Sequence, residues 1–139
     1  MTIVRMVMVA TLAGLAGCAP TQPPAFLLPD GDGAPPPLPA GENISVTPLR
    51  RSAHVSVAAV QIRDREAPHV HTRYDLTVIL TRGAGTLWLA GVARPMRAGD
   101  GAFIPRGTPH YFVNGGDTPA LALVVFAPPF SGPDQAPAP

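Results

Sequence analysis

Short hydrophobic runs, rather than long amphipathic stretches, dominate the chain between Ile44 and Phe126. No stretch there has the 3.6-residue period of a helix, and no repeat at a fixed period is apparent. Runs of this length, at intervals of roughly 8–12 residues, favour β-strands. The predicted strands are Ala53–Ile62, Leu76–Leu80, Thr86–Leu89, Gly101–Ile104, Tyr111–Val113 and Ala120–Phe126.

Turn-forming residues separate these runs, as expected for strands joined by tight connections. Together, strands and turns predict an all-β sandwich or barrel. The clearest turns are Arg82-Gly83-Ala84-Gly85, Ala98-Gly99-Asp100-Gly101 and Asn114-Gly115-Gly116-Asp117.

Proline divides the chain into a compact part and two ends. Of the 19 prolines, 13 lie outside residues 41–127. The part between is about 87 residues, enough for one small hydrophobic core. We therefore expect a β-barrel domain over residues 41–130 and a disordered tail over 131–139.

The N-terminus has the pattern of a secretory signal peptide over residues 1–17. A single Arg5 precedes an apolar run from Met6 to Leu15, which is too short for a membrane-spanning helix. The following Leu15-Ala16-Gly17-Cys18 resembles the lipobox of bacterial lipoproteins. That resemblance implies lipidation at Cys18, the only cysteine of the chain, and the alternative is a plain signal peptide.

Residues 18–40 are then a lipid anchor followed by a Pro-rich linker, with eight prolines between Ala19 and Ala40. Such a composition does not bury enough apolar surface to fold, so we expect a disordered, partly polyproline-II stalk. The protein is expected in the cell envelope, attached to a membrane by its lipid and facing the periplasm or the outside. Ala19 stands where some bacteria place the Asp that signals inner-membrane retention, which favours the outer membrane.

Charge argues against nucleic acid as a partner. The chain has ten basic and nine acidic side chains, and all ten basic ones are Arg. A nearly neutral chain lacks the basic stripe that phosphate binding needs.

Two clusters of residues carry the candidate chemistry. The first contains His69, His71 and Asp75, which share one parity, so an uninterrupted strand would place all three on one face. The second brings His110 to the start of a return strand, after a turn at Gly107. Imidazole and carboxylate groups are ligands of divalent transition metals.

At these clusters the chain resembles the cupin superfamily, in particular its single-domain, type-2-like members. The family's first motif, His-x-His followed after three or four residues by Glu, is matched by His69 and His71, with Asp75 in place of Glu. Its second motif, Gly-x5-Pro-x-Gly-x2-His-x3-Asn, is matched in full by Gly99, Pro105, Gly107, His110 and Asn114.

The resemblance implies a small antiparallel cupin β-barrel, that is, a double-stranded β-helix or jelly roll. It also implies one divalent ion (Zn, Mn, Fe, Ni or Cu) bound by His69, His71, Asp75 and His110. Because Asp is one methylene shorter than Glu, its oxygen falls short by roughly 1.5 Å. Either the backbone adjusts, or Asp75 binds through water.

Three functions remain open at this point. The first is a metal-dependent enzyme of the dioxygenase, lyase or isomerase type, acting on a small oxygenated organic molecule. The second is a tethered module that binds or senses a small molecule or metal, which a site without a protonatable neighbour would favour. Tyr74 and Tyr111 are the candidate acids or bases. The third is a metal-free structural barrel.

Similar single-domain cupins commonly form homodimers, so a homodimer is a further expectation from the resemblance.

Overall fold

A computed structural model of the protein describes residues 34–138. The predicted signal peptide, Cys18 and the linker as far as residue 33 lie outside the described residues. Within the described range, no helix is long and apolar enough to cross a membrane.

In the described residues, ten strands form two five-stranded antiparallel sheets, which confirms the prediction of a small all-β barrel. The first sheet has the order β1-β2-β9-β4-β7, and the second has the order β10-β3-β8-β5-β6. The strands are β1 Ile44–Arg51, β2 Ser56–Ile62, β3 His69–His71, β4 Asp75–Arg82, β5 Ala84–Leu89, β6 Val92–Arg97, β7 Gly101–Ile104, β8 His110–Asn114, β9 Ala120–Ala127 and β10 Gln135–Pro137.

The core lies between the two sheets. Alternate residues of each strand point inward, so side chains such as Leu76 of the first sheet and Phe112 of the second belong to one buried cluster. Leu76 and Ile104, paired across β4 and β7, are 2% and 1% exposed. The functional side chains therefore share the barrel interior with an apolar core.

The hydrophobic pattern missed β3 and three strands that lie at sheet edges. β1, β6 and β10 each contain a proline, namely Pro48, Pro95 and Pro137. An edge strand leaves one row of backbone N–H groups unpaired, so it accepts proline and polar residues that a central strand excludes. The prolines of these segments are therefore compatible with strands at the sheet edges.

Backbone contact at Gly85 helps to fix the second sheet. A Cβ at this position would lie 2.2 Å from the Val113 carbonyl oxygen and 2.4 Å from Cζ of Phe112. Only glycine allows β5 to approach β8 so closely while the Phe112 ring occupies the core.

Both ends of the described chain pack against the barrel. Gln61 Nε2 donates a hydrogen bond to the Pro36 carbonyl oxygen (2.7 Å), and Leu38 is buried. At the other end, β10 lies within the segment 131–139 that composition had indicated as a disordered tail. Contacts with the barrel are thus also made by residues on both sides of 41–130.

Candidate metal centre

Strands β3 and β8 bring His69, His71 and His110 together. His69 and His71 lie on the same side of β3 because side chains alternate along a strand. His69 is directly opposite His110 in the antiparallel register of β3 and β8. All three side chains are buried, and one ligand nitrogen from each lies within 4.8 Å of the others.

Each ring is held by a hydrogen bond at Nδ1. The acceptors are the Ala67 carbonyl oxygen for His69 (2.8 Å) and the Thr108 carbonyl oxygen for His110 (2.8 Å). Because a carbonyl oxygen only accepts, these rings carry their proton on Nδ1. Nε2 is then the nitrogen that is left with a free lone pair.

His71 has the same arrangement with a carboxylate as acceptor. Its Nδ1 lies 2.7 Å from Oδ1 of Asp134. Burial raises the pKa of Asp134, but the hydrogen bonds from His71 and from the Arg73 backbone N–H outweigh this effect and lower the pKa. An ionised Asp134 only accepts, so His71 carries a proton on Nδ1, and in the neutral form of the ring Nε2 has the free lone pair.

Burial keeps His110 neutral. Burial, together with the smaller effect of the charges of His69 and His71, lowers the pKa of His110 from 6.5 to about 4, although the hydrogen bond to Thr108 raises it. Neutral imidazole is the form that binds metal ions. The protonation state of His110 therefore suits a ligand near neutral pH.

Asp75 does not belong to the group of three histidines. A bend at residues 72–73 and the irregular residue 74 separate β3 from β4, so the shared parity expected for an uninterrupted strand is lost. Asp75 Oδ1 accepts hydrogen bonds from the Arg106 backbone N–H (2.9 Å) and from Arg106 Nε (3.1 Å), and Oδ2 accepts one from Nη2 (2.9 Å). These bonds lower the pKa of Asp75 to about 2, and they give its carboxylate a structural role between β4 and the β7–β8 turn.

Glu66 is a second carboxylate that the sequence motifs did not reveal. Its Oε2 accepts a hydrogen bond from the Phe112 backbone N–H (2.8 Å), while its own N–H donates to the Phe112 carbonyl oxygen (2.9 Å). Burial raises the pKa of Glu66, and the charge of His69 and the bond from Phe112 lower it by less. Glu66 is thus a carboxyl group with a raised pKa on the wall of the cavity that holds the histidines.

The cavity has a volume of about 870 Å³. Its polar groups include the three histidines, Glu66 and Asp134, whereas most of the remaining wall is apolar. Among the described residues, neither Tyr74 nor Tyr111 lines it, so the two tyrosines considered as acids or bases lie outside the cavity wall. Apolar lining residues include Leu76, Val78, Leu87, Met96, Phe112 and Val124.

The donor set fits a divalent transition metal ion. Three imidazoles with their Nδ1 atoms hydrogen-bonded elsewhere are typical ligands of Zn, Cu, Ni or Fe, and a hydrogen-bonded second nitrogen is the usual support of a metal-binding histidine. Three ligands also leave coordination positions for water or a bound molecule.

Acid should destabilise the metal-free protein through His110. In the folded state its pKa is about 4, below the ordinary 6.5, so between these pH values the unfolded chain binds a proton that the folded chain does not. The free energy of unfolding should therefore fall as pH drops from about 6.5 to about 4, by on the order of 1–3 kcal/mol. Urea titrations at several pH values measure this slope.

The His110→Asn variant should have a shallower slope over that pH range, whatever its overall stability. His54→Asn is the matched control, since His54 is exposed. Equal slopes in the wild type and the His110→Asn variant would contradict the role assigned to His110.

Known proteins resemble this chain in sequence and in fold. An uncharacterized protein from Aquifex aeolicus (strain VF5) is 37% identical over 94 residues, which cover 68% of this chain and 77% of that protein. KdgF from a Halomonas species superposes with a TM-score of 0.62 at 22% identity, over 69% of this chain and 88% of that one. Pac13 from Streptomyces, a nucleoside dehydratase, superposes with a TM-score of 0.58 at 23% identity, over 68% and 77% of the two chains.

The two structural similarities establish the fold alone. The family assignment comes from the sequence, because the family described as "Cupin domain" matches residues 56–126, from the start of β2 nearly to the end of β9. This range includes all three buried histidines and both sequence motifs, and the chain belongs to the cupin family.

Proposed function

We propose that this protein binds one divalent metal ion through His69, His71 and His110 and is a metal-dependent enzyme acting on a small oxygenated organic molecule. The observation that carries the proposal is the orientation of three buried imidazoles, each with Nδ1 bonded and Nε2 free. A divalent ion at such a site supplies Lewis-acid or oxygen-activating chemistry.

The cavity supports a ligand with an apolar body and a polar end. Side chains such as Leu87, Met96 and Val124 offer contact to the body, whereas the histidines and Glu66 offer polar partners at one part of the wall. Buried polar groups of this kind fix the orientation of a small molecule, and apolar walls exclude water from it.

Glu66 favours an enzyme over a module that only binds. Its carboxylate has one hydrogen bond to a described residue, at Oε2, so Oε1 is available to a molecule in the cavity. Burial shifts its pKa upward, toward the range in which a carboxyl group both takes and gives protons near neutral pH. We assign it the transfer of a proton to or from the bound molecule.

The structural neighbours are compatible with an oxygenated ligand. Pac13 is a nucleoside dehydratase and has also been solved with uridine, a molecule with several hydroxyl groups. The same barrel thus accommodates a small polyoxygenated molecule in that protein, and we propose a ligand of comparable size here.

Metal binding should depend on the histidines and not on Asp75. After stripping and incubation with Zn²⁺, Cu²⁺, Ni²⁺, Mn²⁺ or Fe²⁺, the purified protein should retain about one equivalent of at least one ion by mass spectrometry of metals. His69→Ala and His110→Ala should lose it, because each removes one of three ligands. Asp75→Ala is the control and should keep it, since Asp75 is bonded to Arg106.

Less than about a tenth of an equivalent in the wild type, with every ion supplied, would support the metal-free structural barrel instead. Loss of metal in the Asp75→Ala variant would instead support the set of four ligands that the sequence motif implies.

Turnover should depend on Glu66. In assays of small hydroxy acids, oxo acids and nucleosides by mass spectrometry, the wild type should convert one class, and Glu66→Gln should lower kcat by about 100- to 10,000-fold. Its metal content should be unchanged, because Glu66 lies outside the group of ligand nitrogens. Equal kcat in the two proteins would remove Glu66 from the reaction, and ligand binding without conversion would favour the binding or sensing module.

We further propose that the protein is lipid-anchored in the cell envelope through Cys18. The support is the signal-like pattern of residues 1–17, with the small residues that precede the cysteine. In detergent phase partitioning, the wild type should enter the detergent phase and Cys18→Ser the aqueous phase. A wild-type protein that stays in the aqueous phase would contradict the proposed lipid anchor.

A further inference from the structure

The C-terminal segment, residues 131–138, lies along the open edge of the strand that carries two of the histidines. β10 pairs with β3 in antiparallel register, with Gln135 opposite His71 and Pro137 opposite His69. The pairing continues beyond β10, where the Ala138 N–H donates to the Pro68 carbonyl oxygen (3.3 Å). Without this segment, β3 would be a three-residue edge strand.

Asp134 joins the segment to the histidine group directly. Its side chain has no exposed surface, and Oδ1 accepts the hydrogen bond from His71 Nδ1 at 2.7 Å. Its Oδ2 accepts a second bond, from the Arg73 backbone N–H (2.9 Å). Both carboxylate oxygens are therefore bonded to the strand or to the turn that follows it.

Further contacts hold the segment to the β3–β4 turn. Arg73 Nη2 donates to the carbonyl oxygens of Gly132 (3.2 Å) and Pro133 (3.1 Å). The Tyr74 hydroxyl accepts a hydrogen bond from the Ser131 backbone N–H (2.8 Å). The segment is thus held by a few polar contacts on one side of the barrel, at the edge of the second sheet.

We propose that Asp134 is a positioning residue for His71, and that docking of residues 131–138 and metal binding at the three histidines stabilise each other. The inference rests on the proposed metal site. Asp134 fixes the tautomer and the orientation of the His71 ring, so its loss weakens the metal site. By linkage, an ion that fixes His71 also fixes the group to which the segment is attached.

Zn²⁺ titration in competition with a chromophoric chelator tests the first half. Asp134→Ala should bind Zn²⁺ about 10- to 100-fold more weakly than the wild type. Asp134→Asn should lie between them, because its amide oxygen still accepts from Nδ1–H but carries no charge. Asp117→Ala is the matched control, since Asp117 is exposed in a turn, and it should bind like the wild type.

Hydrogen–deuterium exchange of the whole chain tests the second half. Zn²⁺ should slow amide exchange in the peptide covering residues 131–139 of the wild type, and this protection should disappear in His71→Ala. A purely structural role for Asp134 would not make exchange in the C-terminal peptide depend on the metal.

The outcomes separate the inference from the function on which it rests. If the wild type binds no ion, the proposed metal site fails and the inference fails with it. If Asp134→Ala and Asp134→Asn both bind Zn²⁺ as tightly as the wild type does, only the positioning role is overturned. Unchanged exchange in the wild type on addition of Zn²⁺ would overturn the coupling.

Discussion

Hydrogen bonds at three imidazole Nδ1 atoms determine what this barrel can do. Leaving one such buried donor unsatisfied costs about 1–3 kcal/mol, so each ring is strongly held in the orientation that satisfies it. The acceptors are two backbone carbonyl oxygens and one carboxylate. The remaining nitrogens face a common space because β3 and β8 pair with His69 opposite His110. The candidate site is thus a consequence of sheet register and of main-chain geometry.

The hydrophobic pattern identified six strands, among them the edge strand β7, and it missed β3 and the edge strands β1, β6 and β10. β2, β4, β5, β7, β8 and β9 correspond to apolar runs, because each packs a row of side chains into the core. β1, β6 and β10 are bounded by solvent on one side and contain Pro48, Pro95 and Pro137. Their strand character comes from pairing with a neighbour, which periodicity within one segment does not record.

The sequence likewise predicted some residues of the candidate site and missed others. Sequence spacing identified the three histidines because a strand and a tight turn fix their relative positions. It misplaced Asp75, since parity holds only within one strand and the break at residues 72–74 separates β3 from β4. Glu66 and Asp134 reach the site through pairing with Phe112 and through a segment 63 residues from His71. Nothing in the local pattern near either residue signals those partners.

The acceptors for the three rings differ in how they respond to mutation. Those of His69 and His110 are carbonyl oxygens of the main chain, which every amino acid at positions 67 and 108 supplies. The acceptor of His71 is a side chain, so a single codon change removes it. In the proposed metal site, substitutions at position 134 would therefore change the affinity for the ion in small steps while all three histidines stay in place.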